Sequence, residues 1–158
     1  MPIKITNIPI LKNLMRLLFG FSLTGLAGQV TAEIQVKNAW VRATVAGQQS
    51  SGAFMTLTAS RDSKLLSVQS AVAPTVQIHQ SSMKDDVMSM HQVEYVTLPA
   101  GKPVSLEPHG YHVMLLELEA QIKKGDTVLL TMIVENADGE LDSVGVEAEV
   151  RSLDTDNL

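Results

Sequence analysis

All four histidines of this chain, His79, His91, His109 and His112, fall within one stretch, together with Met83, Met88, Met90 and Met114, half of its eight methionines. Beyond residue 32, only Met55 and Met132 lie elsewhere. Side chains two residues apart on a strand share a face. His112 and Met114 therefore point one way, and the aliphatic Val113 and Leu115 point the other, toward a core. In segment 75–79, Val76 and Ile78 share the core side and His79 falls opposite. A two-residue turn at Lys84-Asp85 would set His79 directly across from Met90, with Cβ atoms about 4.5–5.5 Å apart. Other loop lengths would shift this pairing. His91 alternates away from Met90. Met88 shares the Met90 face, where packing is the expected role and shielding of an ion or a path to the site the alternative. His109, on the loop before His112, is a candidate gate or transient fifth donor.

Two imidazoles and two thioethers, His79, Met90, His112 and Met114, suit a soft ion. Thioether sulfur binds Cu(I) well and hard ions such as Mg²⁺ or Ca²⁺ hardly at all. Zinc sites normally use Cys, His and carboxylate, and a blue-copper electron-transfer centre needs a cysteine thiolate. The chain has no cysteine. This also removes thiol nucleophiles, redox dithiols and iron–sulfur ligation. The competing reading is that methionine fills a core and each histidine is a hydrogen-bonded surface group, which would leave a structural β domain without metal.

Catalysis is not expected. Ser81, Ser82, Asp85 and Asp86 lie near the histidines, but no serine sits in a strand–turn–helix elbow and no His-Glu-x-x-His zinc motif occurs. The acids Asp85, Asp86, Glu117 and Glu119 read as turn and solvated-strand charges.

The elements that must position these residues are short. Segments 34–45, 52–59, 64–70, 75–82, 87–96, 103–107, 111–118, 127–135 and 144–151 are rich in Val, Thr, Ile and Leu. Turn residues separate them, among them Pro74, Pro99, Gly101, Pro108, Gly110, Gly125 and Gly139. No helix of ordinary length is evident. Short strands at this spacing predict an all-β sandwich or barrel. Trp40, the one tryptophan, reads as a core or half-buried packing residue. With 45% apolar and 18% charged residues, the 158-residue chain is globular and sized for one domain.

Residues 1–32 differ. Lys4, Lys12 and Arg16 are their only charges, an uncharged run covers 17–27, and Val30-Thr31-Ala32 offers a small-residue cleavage site. This order is that of a secretory signal, and the run is shorter than a spanning helix needs. We expect cleavage after Ala32, a domain at 33–151, a flexible tail at 152–158 and no membrane association after cleavage. With no cysteine after the apolar run, lipid attachment is not expected. Without those three basic residues, 9 of 12 bases remain against 17 acids, a formal charge of −8. Such an acidic domain is not expected to bind nucleic acid.

The sequence resembles the periplasmic copper chaperones of the PCu(A)C type. Their pattern is a His, ten residues, a Met, twenty-one residues and His-x-Met, matched here by His79, Met90, His112 and Met114 without a gap. The flanks Ala39-Trp40-Val41-Arg42, Ser51-Gly52-Ala53-Phe54-Met55-Thr56-Leu57, Leu98-Pro99-Ala100-Gly101 and Gly110-Tyr111-His112-Val113-Met114-Leu115 are also similar, so the likeness spans about 34–150. It implies a cupredoxin-like Greek-key fold and one exposed Cu(I) on those four residues. It further implies a periplasmic carrier delivering copper to the CuA centre of cytochrome c oxidase or to another periplasmic copper protein; a monomer is expected. Storage or resistance is the alternative. Two departures stand out: Asp86 replaces the usual turn glycine, and His109 replaces a common glycine before Gly110. Asp tolerates the left-handed backbone, so the hairpin is expected to persist. The ending Asp-Thr-Asp-Asn-Leu lacks the His- and Met-rich tail that gives some relatives a Cu(II) site.

Overall fold

A computed structural model describes residues 33–152. The proposed signal at 1–32 and the tail residues 153–158 lie outside the described residues.

Ten strands form in order: β1 (Ile34–Arg42), β2 (Ser50–Ala59), β3 (Ser63–Gln69), β4 (Thr75–Lys84), β5 (Val87–Gln92), β6 (Val96–Leu98), β7 (Pro103–Leu106), β8 (Tyr111–Leu116), β9 (Thr127–Asn136) and β10 (Leu141–Arg151). They join one sheet in the order β5-β4-β8-β7-β2-β1-β10-β9-β3-β6, with β8 also paired to β2. Most pairs are antiparallel, while β1 runs parallel to β10. Consecutive strands β5 and β6 stand at opposite ends of this order. Laid flat, strands about 4.8 Å apart would separate them by about 43 Å. The linking residues 93–95 span at most about 14 Å. The sheet must therefore roll up on itself.

The core confirms the closure. Met55, Leu57, Leu65, Leu98, Leu115, Leu130, Met132 and Val150, from six strands, belong to one buried cluster. Each such side chain contributes about 1.5–3 kcal/mol on burial, and with no disulfide this core carries the fold. The architecture is the all-β, cupredoxin-like Greek-key sandwich or barrel that the strand pattern and the resemblance imply.

Two boundaries differ from expectation. The segment 87–96 is two strands, because Val93 donates its N–H to the Ile78 carbonyl (2.9 Å) and the chain then crosses to pair β6 with β3. The first strand ends at Arg42 rather than at 45. Within β1 the register against β2 shifts between Lys37 and Trp40, and Asn38 takes a left-handed φ of 52°. This one-residue bulge turns Trp40 to the outer face, opposite Phe54, whereas unbroken alternation from Val36 would have sent it inward.

Candidate metal centre

Three neighbouring strands, β5, β4 and β8, carry the four candidate donors. Strands β4 and β8 pair in a register that sets His79 directly against His112 and Gln77 against Met114. Val113 and Leu115 face the core with no exposure, so His112 and Met114 occupy the opposite, outer face, as alternation predicts. The two imidazole rings lie edge to face, with centroids 6.0 Å apart. A metal bound to an imidazole at about 2 Å sits about 3 Å from the ring centre. One ion can therefore reach both rings.

The β4–β5 hairpin corrects the expected pairing. Its turn is Asp85-Asp86 rather than Lys84-Asp85, and both aspartates are left-handed, with φ of 51° and 61°. These are the backbone signs of a type I′ turn. Aspartate accepts them because its short polar side chain hydrogen-bonds locally. His79 consequently faces Gln92, and Met90 faces Ser81. The slip is two positions, so Met90 stays on the His79 face but lies diagonal to it. His91 pairs with Gln80 on the other face, as alternation predicts. His109 is exposed in the turn before β8.

The structure thus brings His79 and His112 together, with Met114 two residues along the same face. Met90 lies at the other end of the face, 51% exposed. Counted along a flat ladder, the Met90 and Met114 Cα atoms would stand about 17 Å apart. Joint binding of one ion therefore requires the hairpin to bend toward β8.

Each imidazole is oriented by the residue two before it. His79 Nε2 donates to Gln77 Oε1 (2.8 Å), and His112 Nδ1 donates to the Gly110 carbonyl (3.1 Å). That carbonyl also accepts the Ser81 N–H (3.0 Å). In this assignment His79 Nδ1 holds a lone pair, and it is buried without a hydrogen-bond partner. Such an atom normally has one, and a metal would supply it. Ser81 Oγ, opposite Met90, is likewise buried and unpartnered. His79 is held below the ordinary imidazole value, first by burial, then by the charges of His112 and His91. It is neutral at pH 7, the state a ligand needs. Among the described residues, no group of three or more His, Asp or Glu could hold a metal. A site with more than the two imidazoles would draw on the thioethers beside them.

An aromatic wall closes the side toward β2. Gly52 pairs with Met114, and a Cβ added there would fall 2.6 Å from the tip of the Phe54 ring. Phe54 is buried, 6.5 Å from His112 and 4.5 Å from Trp40 between centroids. Arg42 lies over Phe54 and Arg151 over Trp40. The roles of Gln77 and Gly110 in orienting the imidazoles, and this wall, do not follow from strand alternation alone. The same-face, two-residue spacing of Gln77 from His79 was the available signal.

Solved PCuAC domains share this architecture. The copper-bound PCuAC domain from PmoF2 superposes with a TM-score of 0.61 at 24% identity, covering 75% of this chain and 92% of that one, a likeness that shows the fold. The solution structure of apo-DR1885 from Deinococcus radiodurans is 27% identical, covering 84% of this chain and 90% of that one, with a TM-score of 0.56. Its CuI form is 29% identical, covering 73% and 76%, with a TM-score of 0.55. The chain is thus built as a PCuAC domain. The family described as putative lipoprotein LpqE-like matches residues 34–149, and the chain belongs to that family. The putative lipoprotein Lxx21020 of Leifsonia xyli subsp. xyli (strain CTCB07) is 28% identical over 120 residues, 75% of this chain and 71% of that protein.

Proposed function

We propose that the protein is an exported, monomeric carrier of one Cu(I) ion, held by His79, Met90, His112 and Met114, and is not an enzyme. The carrying observation is the direct His79–His112 pairing, with a buried, unpartnered Nδ1 on His79 and a methionine on either side of the pair. A copper-bound and a CuI form among similar structures support the choice of metal. The basic-then-apolar start of the sequence and the lipoprotein description of its relatives support export, to the periplasm in this reading. The ion is cargo. All four donors are neutral, so no anionic ligand competes with the thiolates of an accepting protein. That acceptor is the CuA-bearing subunit of cytochrome c oxidase or another periplasmic copper carrier. Storage or resistance would use the same site.

X-ray absorption on the Cu(I)-loaded protein tests the reading. Two sulfur and two nitrogen neighbours are expected. A shell of nitrogen and oxygen alone, or equal affinity for Zn²⁺ and Cu(I), would overturn it. An unaltered thermal midpoint on adding Cu(I), against the rise that ligand linkage demands, would favour a purely structural domain.

A further inference from the structure

Met83 and Met88 are the outermost thioethers of the β4–β5 hairpin, and neither packs: they are 67% and 52% exposed. The expectation that Met88 is a packing residue is therefore corrected. Of the eight large hydrophobic side chains exposed among the described residues, Met83, Val87, Met88 and Met90 are all on this hairpin. Three of those four are methionines on one face. Met83 pairs with Met88, and Ser81 with Met90. Period-two alternation then places Met83, Met88 and Met90 on the face that carries His79 and His112.

The turn fixes their proximity. The Lys84–Val87 pair closes the two-residue loop and is a hydrogen-bonded pair, as in hairpins of this type. Pairs alternate outward, so Met83–Met88 is a non-hydrogen-bonded pair, with Cα atoms about 4.5 Å apart and side chains at their closest. Met90 follows two residues beyond Met88, about 7 Å along the strand. Three flexible thioethers, each with three rotatable bonds, thus surround one small volume at the hairpin tip. A set of neutral sulfurs selects a soft monovalent ion.

We propose that Met83, Met88 and Met90 form an outer site for a soft monovalent d¹⁰ cation, Cu(I) in function, distinct from the His79–His112 centre. The inference rests on the copper-carrier reading for the identity of the ion, but its geometry is independent of the histidines. Met90 belongs to both donor sets. An ion can pass inward by ligand exchange, retaining Met90 while Met83 and Met88 are replaced by His79, His112 and Met114. No bond to carbon forms or breaks, and the oxidation state is unchanged.

The test is titration of the full chain with Ag(I), a redox-inert probe, while the ¹³C-labelled methionine methyl resonances are followed. In the wild type, Met90 and Met114 should shift with the first equivalent, and further Ag(I) should shift Met83 and Met88 and move Met90 a second time, as it is shared with the outer ion. In His112→Ala, the Met83, Met88 and Met90 shifts should persist while the Met114 response is lost. The exposed, near-isosteric double variant Met83→Leu/Met88→Leu should retain the first binding event and lose the second. Met83 and Met88 methyls unmoved in both wild type and His112→Ala, or an undiminished second event in the double variant, would overturn the outer site. If His112→Ala left every methyl response unchanged, the inner reading would fail while the outer site stood on the Met83 and Met88 shifts.

Discussion

Strand β8 and strand β5 contribute to one candidate site from opposite structural regimes. Strand β8 lies between β4 and β7, is also bonded to β2, and is backed by Val113 and Leu115 at zero exposure. Its His112 is 3% exposed. Strand β5 is the edge of the sheet, and all six of its residues are exposed. Local opening is easiest where buried apolar contacts are few. In the proposed carrier, the packed side fixes the imidazole geometry before an ion arrives, and the edge side offers an exposed thioether. For a carrier, that division separates holding from releasing.

Stability gives the widest contrast. Leu115→Ala, behind the packed half, should cost about 2–5 kcal/mol in chemical denaturation. Met90→Leu, on the exposed half, should change stability by less than about 0.5 kcal/mol. Equal losses would break the distinction between the two regimes. Affinity sharpens it. In competition with a chromophoric chelator, His112→Ala should weaken Cu(I) binding by more than about a hundredfold, or about 2.7 kcal/mol. Met90→Leu should weaken it by about thirtyfold, about 2 kcal/mol, and should speed release to the chelator. Gln77→Leu removes the acceptor that orients His79 and should cost about tenfold, at the low end for such second contacts. Nitrogen NMR of the imidazole should show the His79 tautomer becoming mixed in that variant.

The smallest effect is the pH slope. His79 is held below its ordinary value of about 6.5, so the native state prefers it neutral. Its contribution to stability is complete above the unfolded value. It declines as pH falls from there through the folded value, where the unfolded chain binds more protons. Cu(I) affinity should fall over the same acid range. A denaturation series from pH 7 to pH 5 with His79→Gln as the control checks the sign, and the variant should show the shallower slope.

Much of the site was legible because strand alternation has a period of two. His112, Met114 and His79 fall on the outer face by counting alone, and Val113, Leu115 and Ile78 on the inner. The observed hairpin register differs from the expected one by two positions: a type I′ turn needs positive φ at both central residues, which Asp85-Asp86 accepts more readily than Lys84-Asp85, and counting loop length alone does not weigh that preference. An even slip preserves the face, so Met90 kept its side and lost only its partner. Trp40 was different. The bulge at Asn38 is a single-residue event, and an odd insertion reverses every following side chain. Counting from Val36 could not place the indole beside Phe54.

Propensity, alternation and composition are local properties, so most strands, the faces of β4 and β8, and the cysteine-free pool of histidine and methionine are legible from residues alone. Only the tertiary structure decided that β4 lies against β8, so that His79 meets His112, and that β5 is left at an edge, so that Met90 stands exposed. Strand neighbours distant in sequence are chosen by closure of the whole sheet around one core, and no local segment encodes that choice.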